Sequence, residues 1–592
     1  MARISRKKDV GVIVHKHGVG FRVWAPFAHT VAVTGSFNDW SRTLLESEGD
    51  GHWYALVENA EVGQEYKFII NSGQSDLYHN DPRALQLTTT SGNSVIADPL
   101  FDWENQEQFV KVPLNQQVIY ELHVGTFARI DASTIGTFKD VITKLDYLND
   151  LGITTIELMP ICSMSMDRGW GYAPDYMYAV ESLYGGRKEF LEFVKAAHAR
   201  EIAVILDVVY NHLGPDEHLD LWQFDGWNVD GKGGIYFYND WRSKTPWGET
   251  RPDYGRTEVR QYITDNVLMW VKDCHLDGLR LDSTIYMRNI DGKNDDQPTD
   301  LADGWRILQE VTELAYKVNP GTLVIAEDVG ANDYITKLSQ EGGAGFSSQW
   351  SVQFPSVMRK VLESPKDEER DLTALCEVLK KKHNNDVFQR IIYSDSHDSA
   401  ANGGARLTEE IAPGDANNVY ARRRSLLAAA IVLTTPGIPM LFQGQEFLED
   451  GSFSDWQVLD WEKAERFSGI VSAVKHLIAL RKNDYDNSRG LTGQNFSVLH
   501  LNEESKVLAY HRWEQGGVGD DVVVVFNFTN HLLKNYSINL PAGGTWHVRF
   551  NSDWHGYSQD FKSGDSEPVI AQESTASLSL PPYTVLILSQ DK

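Results

Sequence analysis

The feature that most constrains the fold is an alternation of apolar strand-like segments and longer amphipathic segments between about residues 118 and 442. VIYELHVGTF, ITTIELMPI and AVILDVVY have the composition of buried strands, and helical patterns such as FKDVITKLDYLNDLG separate them. Apolar strands joined by helices indicate a parallel sheet covered by helices. LDGLRLD, TLVIAED, QWSVQF, QRIIYSD and GIPMLF bring the candidates to eight, which predicts a closed (β/α)8 TIM barrel.

Short strand-like segments with a different rhythm flank this region. GFRVWAP, TVAVTGSF, GHWYALV and EYKFII, separated by Gly, Asn and Asp turns, predict an N-terminal β-sandwich. FSVLHL, VLAYHRW, DVVVVFNF and YTVLIL predict a C-terminal β-sandwich. We therefore predict three domains, at residues 1–100, 101–485 and 486–592, with an inserted loop region at about 213–255 in the barrel domain. Long loops after barrel strands usually serve function.

The composition limits the partners and the cellular location. A net charge of −28 disfavours nucleic acids and anionic membranes, despite the basic opening MARISRKK. The three cysteines are widely spaced and predict neither disulfides nor a zinc site, and no signal peptide or membrane-spanning run is evident, so we expect a cytoplasmic protein. The 17 tryptophans and 24 tyrosines favour stacking on sugar rings. No pattern predicts a cofactor or a metal site, and the oligomeric state stays open.

Acidic and other polar residues fall at the ends of several predicted barrel strands. These residues are Asp207, Asn211 and His212 after the third strand, Arg280 and Asp282 at the fourth, Glu327 at the fifth, and His397 and Asp398 at the seventh. The carboxyl ends of parallel strands form one rim of a barrel, where active sites are built. Alternate strand residues share a face, so Arg280 and Asp282 should lie side by side. A purely structural ion pair is the alternative interpretation.

Such a ring of acids suits cleavage of a glycosidic bond with retention of configuration. That reaction needs a carboxylate nucleophile and a carboxylic acid that protonates the leaving oxygen. We expect Arg280 to keep Asp282 ionised by charge pairing. A glutamate crowded by other carboxylates would have its pKa raised, as a general acid requires.

The stretches DVVYNH, DGLRLD, AED and SHD occur in this order and resemble the four signature motifs of the α-amylase family of glycoside hydrolases. The resemblance spans about residues 18 to 590 and implies that Asp282 is the nucleophile, Glu327 the acid/base and Asp398 the third catalytic acid. It further implies that GWGYAP supplies a stacking platform, Tyr172, and a neighbour, Trp170. The remaining sugar-contacting residues would be Asp207, Asn211, His212, Arg280 and His397. In related amylases the Asn211 position helps to bind calcium, but no acidic cluster lies nearby here, so we expect a hydrogen-bonding role.

Resemblance within the family divides between two activities. RVWAPFAHTVAVTGSFNDW, VIAEDVG, YSDSHD and TTPGIPMLFQGQEF resemble glycogen branching enzymes, which cut an α-1,4 glucan and reattach the segment through an α-1,6 bond. DVVYNHLGP and KTPWGETRPDYG resemble maltooligosyltrehalose trehalohydrolases. We favour branching through a covalent glycosyl-enzyme, with hydrolysis by a trehalohydrolase or amylase-type enzyme as the alternative. A non-catalytic sugar-binding or transporter subunit is a remoter alternative, as is a doubly wound nucleotide-binding fold, for which no glycine fingerprint is present.

Overall fold

The computed structural model describes residues 9–73, 75–104, 109–130, 134–164, 169–214, 219–294, 297–564 and 566–592. The basic opening at residues 1–8 lies outside the described residues, as does the part of the predicted insertion at residues 215–218.

The centre of the molecule is a closed barrel of eight parallel strands, as the alternation of segments predicted. Its strands are β1 (Ile119–Leu122), β2 (Thr155–Leu158), β3 (Ala203–Val208), β4 (Gly278–Leu281), β5 (Leu323–Ala326), β6 (Ser348–Trp350), β7 (Arg390–Ile392) and β8 (Ile438–Phe442). The barrel closes where β1 pairs with β8, with Ile119 opposite Met440. Alternate side chains fill the interior, among them Ile205, Ile325 and Ile391.

Helices cover the outside of the barrel. The longer ones are Leu145–Leu151, Gly186–His198, Thr257–Leu268, Ala302–Val318, Gln353–Glu363, Leu372–Lys380, Val419–Thr434 and Ser468–Lys482. Shorter helices are Val124–Phe127, Phe138–Ile142, Thr284–Arg288, Asp333–Thr336, Leu407–Ile411 and Glu462–Arg466, and Met269–Asp273 forms a π-helical turn. In the part of the chain that the structure describes, no helix has the length and apolarity needed to cross a bilayer.

Two β-sheets form the N-terminal sandwich. One contains Gly11–His15, Gly18–Trp24, His52–Val57 and Glu46–Ser47, and the other contains Thr43–Leu44, Thr30–Gly35, Glu65–Asn71, Asp76–His79 and Ser94–Val95. Alternate residues such as Phe21, Val33 and Phe68 are fully buried between them.

The N-terminal sandwich contacts the loop between β3 and the helix that begins at Thr257. Asp220 accepts a hydrogen bond from the backbone of Asn80 at 2.9 Å, and Asp225 accepts one from the backbone of Phe27 at 2.9 Å. The ring of Phe27 stacks on Trp227 with centroids 4.7 Å apart. These contacts fix the near end of a long loop whose far end reaches the barrel mouth.

The C-terminal region is a second β-structure, as predicted. Its six-stranded sheet contains Asn495–Asn502, Val507–Trp513, Val522–Asn527, Thr584–Ser589, Gly544–Asn551 and Val569–Ala571, and Leu533–Asn539 pairs with Thr575–Leu580 in a second sheet. Buried valines of Val522–Asn527 and leucines of Thr584–Ser589 form its core.

Candidate active site

Three neighbouring barrel strands bring Asp207, Asp282 and Glu327 together at the carboxyl end of the barrel. Arg280, near the end of β4, lies at the centre of this group and is fully buried. Its Nη1 is 2.6 Å from Asp207 Oδ2 and 3.2 Å from Asp282 Oδ1, and its Nη2 is 2.9 Å from Glu327 Oε2. One guanidinium therefore contacts three carboxylates from β3, β4 and β5. The predicted side-by-side placement of Arg280 and Asp282 is confirmed.

The residues that follow β3 contact Asp282 from the side opposite Glu327's strand. Asn211 Nδ2 donates to the Asp282 carboxylate at 2.7 Å and to its backbone carbonyl at 2.9 Å. Asn211 Oδ1 lies 2.5 Å from Nδ1 of His212. These bonds give Asn211 the predicted hydrogen-bonding position. No group of acidic, histidine or cysteine side chains able to hold a metal ion occurs among the described residues.

Glu327 is held by the chain that follows Asp282. Ser283 adopts a left-handed backbone conformation with φ of 42°, which is uncommon for a residue other than glycine. In this conformation its backbone N–H donates to Glu327 Oε2 at 3.0 Å. Thr284 Oγ1 donates to the Glu327 backbone carbonyl at 2.9 Å. Hydrogen bonds from Ser283 and Thr284 therefore connect the loop that carries Asp282 to the loop that carries Glu327.

The loop after β7 places His397 and Asp398 on the opposite side of the mouth. His397 is 2% exposed, whereas the Asp398 side chain is 48% exposed and borders solvent. His397 Nε2 lies 3.5 Å from Asp398 Oδ1. His397 Nδ1 lies 2.5 Å from Glu121 Oε1, a contact that the sequence did not indicate.

Aromatic rings surround the carboxylates. Tyr172 donates to Asp207 Oδ2 at 2.6 Å and stacks on His397 with ring centroids 5.0 Å apart. Trp170 packs edge-on against His397 and stacks on Phe453. A cleft of about 690 Å³ opens beside them, and its lining includes Trp170, Tyr172, His212, Trp247, Asn402 and Phe453. Its volume and aromatic lining suit several linked sugar rings.

The charge state of the two central carboxylates is set mainly by burial. Burial raises the pKa of Glu327 to about 7, and repulsion from Asp282 and Asp398 adds to the increase. The predicted direction is confirmed, but burial rather than carboxylate crowding is the largest cause. Burial also raises the pKa of Asp282, and Arg280 only partly offsets this. The expected charge pairing is present, because Arg280 lowers the pKa of Asp282, but desolvation is the larger effect and the net shift of this pKa is upward.

A pH dependence follows from the raised pKa of Glu327. If Glu327 protonates the leaving oxygen, kcat/KM should fall as the pH rises through about 7, because the acid form is then lost. The raised pKa of Asp282 should place the acid limb above the usual range of an aspartate. Initial rates on amylose between pH 4 and about 10 would measure both limbs. An alkaline limb that persists unchanged in Glu327→Gln would contradict the assignment.

The Tyr172 platform also gives a testable prediction. Tyr172→Ala should raise KM by about fivefold, because a stacked ring contributes on the order of 1 kcal/mol. Tyr172→Phe is the matched control, since it keeps the ring and removes only the hydrogen bond to Asp207. Steady-state kinetics on maltoheptaose would measure both variants. Equal KM values for Tyr172→Ala and the wild type would mean that no sugar stacks there.

Sequence reasoning missed three side chains of the site. Glu121 and Glu157 are buried acids on β1 and β2, and Trp247 stacks on His212 with centroids 4.6 Å apart. Glu121 in YELH and Glu157 in TIEL could have been recognised from the sequence, because a charged residue inside an apolar strand often has a specific role. Nothing local in the KTPWGE segment indicated that Trp247 reaches His212.

Family models match most of the chain. A model of the alpha amylase catalytic domain matches residues 122–222 and 215–489. The chain belongs to the α-amylase family. The alpha amylase C-terminal all-beta domain matches residues 498–591, and carbohydrate-binding module 48, the isoamylase N-terminal domain, matches residues 9–84.

Similar proteins place this α-amylase family enzyme beside branching enzymes in sequence. It is 30% identical to the 1,4-alpha-glucan branching enzyme GlgB of Pseudomonas syringae pv. tomato, over 97% of this chain and 80% of that protein. It is 27% identical to GlgB of Oceanobacillus iheyensis, over 92% of this chain and 91% of that protein.

Solved structures share the fold of this α-amylase family enzyme. A putative alpha amylase from Salmonella typhimurium superposes with a TM-score of 0.75 at 22% identity, covering 98% of this chain and 100% of that one. A pullulanase from Anoxybacillus sp. LM18-11, complexed with maltotetraose, has a TM-score of 0.75 at 21% identity, covering 98% and 87%.

Proposed function

We propose that this enzyme acts on α-glucans with retention of configuration and is a 1,4-α-glucan branching enzyme. The observation that carries the proposal is the single guanidinium of Arg280, which contacts both Asp282 and Glu327 beside an aromatic cleft. A retaining mechanism requires two carboxyl groups close together, one ionised and one protonated. Similarity to branching enzymes over nearly the whole chain supports transfer as the outcome.

The proposed reaction proceeds in two displacements. Glu327, with a pKa of about 7, donates a proton to the glycosidic oxygen while an Asp282 oxygen attacks the anomeric carbon. The reducing-end segment of the glucan leaves with that proton, and the other segment is bonded to Asp282 through its anomeric carbon. Glu327, now a carboxylate, then removes the proton from the 6-hydroxyl of an acceptor glucan as that oxygen displaces Asp282. The result is an α-1,6 branch.

The other residues are assigned to binding and to charge stabilisation. In this proposal Asp398, His397 and His212 contact hydroxyls of the sugar that is cleaved, and Tyr172 stacks on its ring. Asn211 and Arg280 hold the nucleophile, and Asp207 holds Arg280. The match of the N-terminal sandwich to a carbohydrate-binding module supports an α-glucan as the partner.

A second candidate, trehalohydrolase-type hydrolysis, is favoured by one observation. The two segments that resemble trehalohydrolases meet at the cleft, because Asn211 and His212 follow β3 and Trp247 of KTPWGE stacks on His212. This part of the cleft wall would help to determine which acceptor reaches the glycosyl-enzyme. Transfer to water instead of a sugar hydroxyl gives hydrolysis.

Incubation with amylose tests the proposal. We expect α-1,6 linkages, measured by proton NMR and by debranching, with few new reducing ends. Reducing ends without α-1,6 linkages would instead indicate hydrolysis. Trehalose released from a trehalosyl-terminated maltooligosaccharide would support the second candidate. Asp282→Asn, prepared in parallel, controls for contaminating amylases.

A further inference from the structure

Glu121 is a buried glutamate whose two carboxylate oxygens both contact His397. It lies on β1 two residues after Ile119, which faces the barrel interior, and it is 1% exposed. Its Oε1 lies 2.5 Å from His397 Nδ1, and its Oε2 accepts from the backbone N–H of His397 at 3.2 Å. Both oxygens therefore hold His397, one through the ring and one through the main chain.

Hydrogen bonds fix the backbone around Glu121. The Glu121 carbonyl accepts from the Gln443 N–H at 3.0 Å, and the neighbouring His123 N–H donates to the Gln443 side chain at 2.9 Å. Tyr172 stacks on one face of the His397 imidazole. Glu121 thus reaches His397 from a rigid strand while the ring is clamped from one face.

The geometry determines which nitrogen of His397 faces the substrate. With Nδ1 facing Glu121, Nε2 is the nitrogen directed toward Asp398, 3.5 Å away. A neutral imidazole that donates from Nδ1 has only a lone pair at Nε2, whereas a cation donates from both nitrogens. A donor at Nε2 can hydrogen-bond a sugar hydroxyl oxygen and Asp398.

We propose that Glu121 is a positioning residue that keeps His397 protonated and directs its Nε2–H toward Asp398 and the bound sugar. The inference rests on the proposed function only in assigning a sugar to the mouth of the barrel. Glu121 is 1% exposed and both of its carboxylate oxygens contact His397, so we infer that it acts through His397.

The electrostatic surroundings support this role. Burial lowers the pKa of His397, but attraction to Asp398 and Glu121 more than offsets it, so that the pKa is raised to about 9. Other charged or titratable groups that interact with His397 include Arg280, Glu157, Asp207, His123 and Tyr172. His397 is therefore a cation at neutral pH and loses this charge as the pH rises through about 9.

Removing the Glu121 charge should lower the pKa of His397 by about 2 units, within the usual effect of one close opposite charge. Glu121→Gln should then lose about tenfold in kcat/KM at pH 8 relative to the wild type, because most His397 would be neutral. The deficit should shrink at pH 5.5, where His397 is protonated in both proteins. A purely structural role of Glu121 gives a deficit that does not depend on pH.

The control is Glu446→Gln. Glu446 is also a buried glutamate near β1, but it accepts from Tyr120 and Tyr147 on the outer side of the barrel wall. We expect it to change stability without a pH-dependent loss of activity. Glu121→Asp, which keeps the charge, should recover most of the activity at pH 8.

A direct measurement separates this inference from the proposed function. Histidine labelled with 15N, with the His397 signals assigned by His397→Gln, reports the pKa without substrate. We expect protonation to persist above pH 8 in the wild type and to end at a lower pH in Glu121→Gln. A wild-type His397 that titrates at or below its ordinary value of 6.5 overturns the inference even if Glu121→Gln does not fold. Failure to form α-1,6 branches, by contrast, overturns only the proposed function.

Discussion

Asp282→Asn should reduce turnover on amylose by about 10⁴-fold or more, as expected for loss of a nucleophile. The amide cannot form the glycosyl-enzyme, although it has nearly the same shape. Folding should be almost unaffected, because Arg280 keeps its contacts with Asp207 and Glu327 after the change. Burial already disfavours the Asp282 charge, so its removal relieves a desolvation cost.

Asp277→Asn is the matched control for this experiment. Asp277 precedes the same strand at its other end, is 4% exposed, and accepts from His198 at 2.8 Å and from the Val204 backbone at 2.8 Å. We expect this variant to lose stability and to retain turnover. The measurements are initial rates and thermal unfolding for both proteins. Substantial activity in Asp282→Asn, once contamination is excluded, would remove the proposed mechanism.

Glu327→Gln should reduce the rate on amylose by about 10³-fold, because a glucan leaving group needs a proton and the amide cannot supply one. An activated substrate such as α-maltosyl fluoride needs no such help. Its first displacement should therefore remain fast, and the second should slow because no base activates the acceptor. The glycosyl-enzyme should accumulate on Asp282.

Intact-protein mass spectrometry after mixing with α-maltosyl fluoride measures this accumulation. An added maltosyl mass in Glu327→Gln, absent from Asp282→Asn, supports both assignments at once. Glu446→Gln controls for the loss of a buried glutamate, since burial raises the pKa of Glu446 to about 7 as well. A first displacement on the fluoride that is slowed as much as the rate on amylose would show that Glu327 does not act as the acid.

The local pattern of the chain was sufficient for the architecture. Apolar strands separated by helical segments predict a parallel sheet, because strands that bury both faces must be covered by helices, and the count of eight favours a closed barrel. The same pattern located the polar residues at strand ends, and parallel strands bring such ends to one rim. Asp207, Asp282 and Glu327 therefore meet at Arg280 although they are distant along the chain.

Contacts between remote segments were decided by the tertiary structure. Glu121 and His397 are 276 positions apart, and no periodicity relates them. Trp247 stacks on His212 from a loop that also contacts the N-terminal sandwich. Loop conformations of this length are set by such long-range packing rather than by local propensity.

The sequence by itself determined which strands form, and hence which acids and aromatic residues share the barrel mouth. Only the tertiary structure decided their protonation. The pKa values of Glu327 and Asp282 depend mainly on how completely water is excluded from them. This exclusion results from the packing of neighbours on several strands. The sequence shows that Arg280 lies near Asp282 and should lower its pKa. Desolvation raises this pKa and is the larger effect, and it exists only once the barrel has closed.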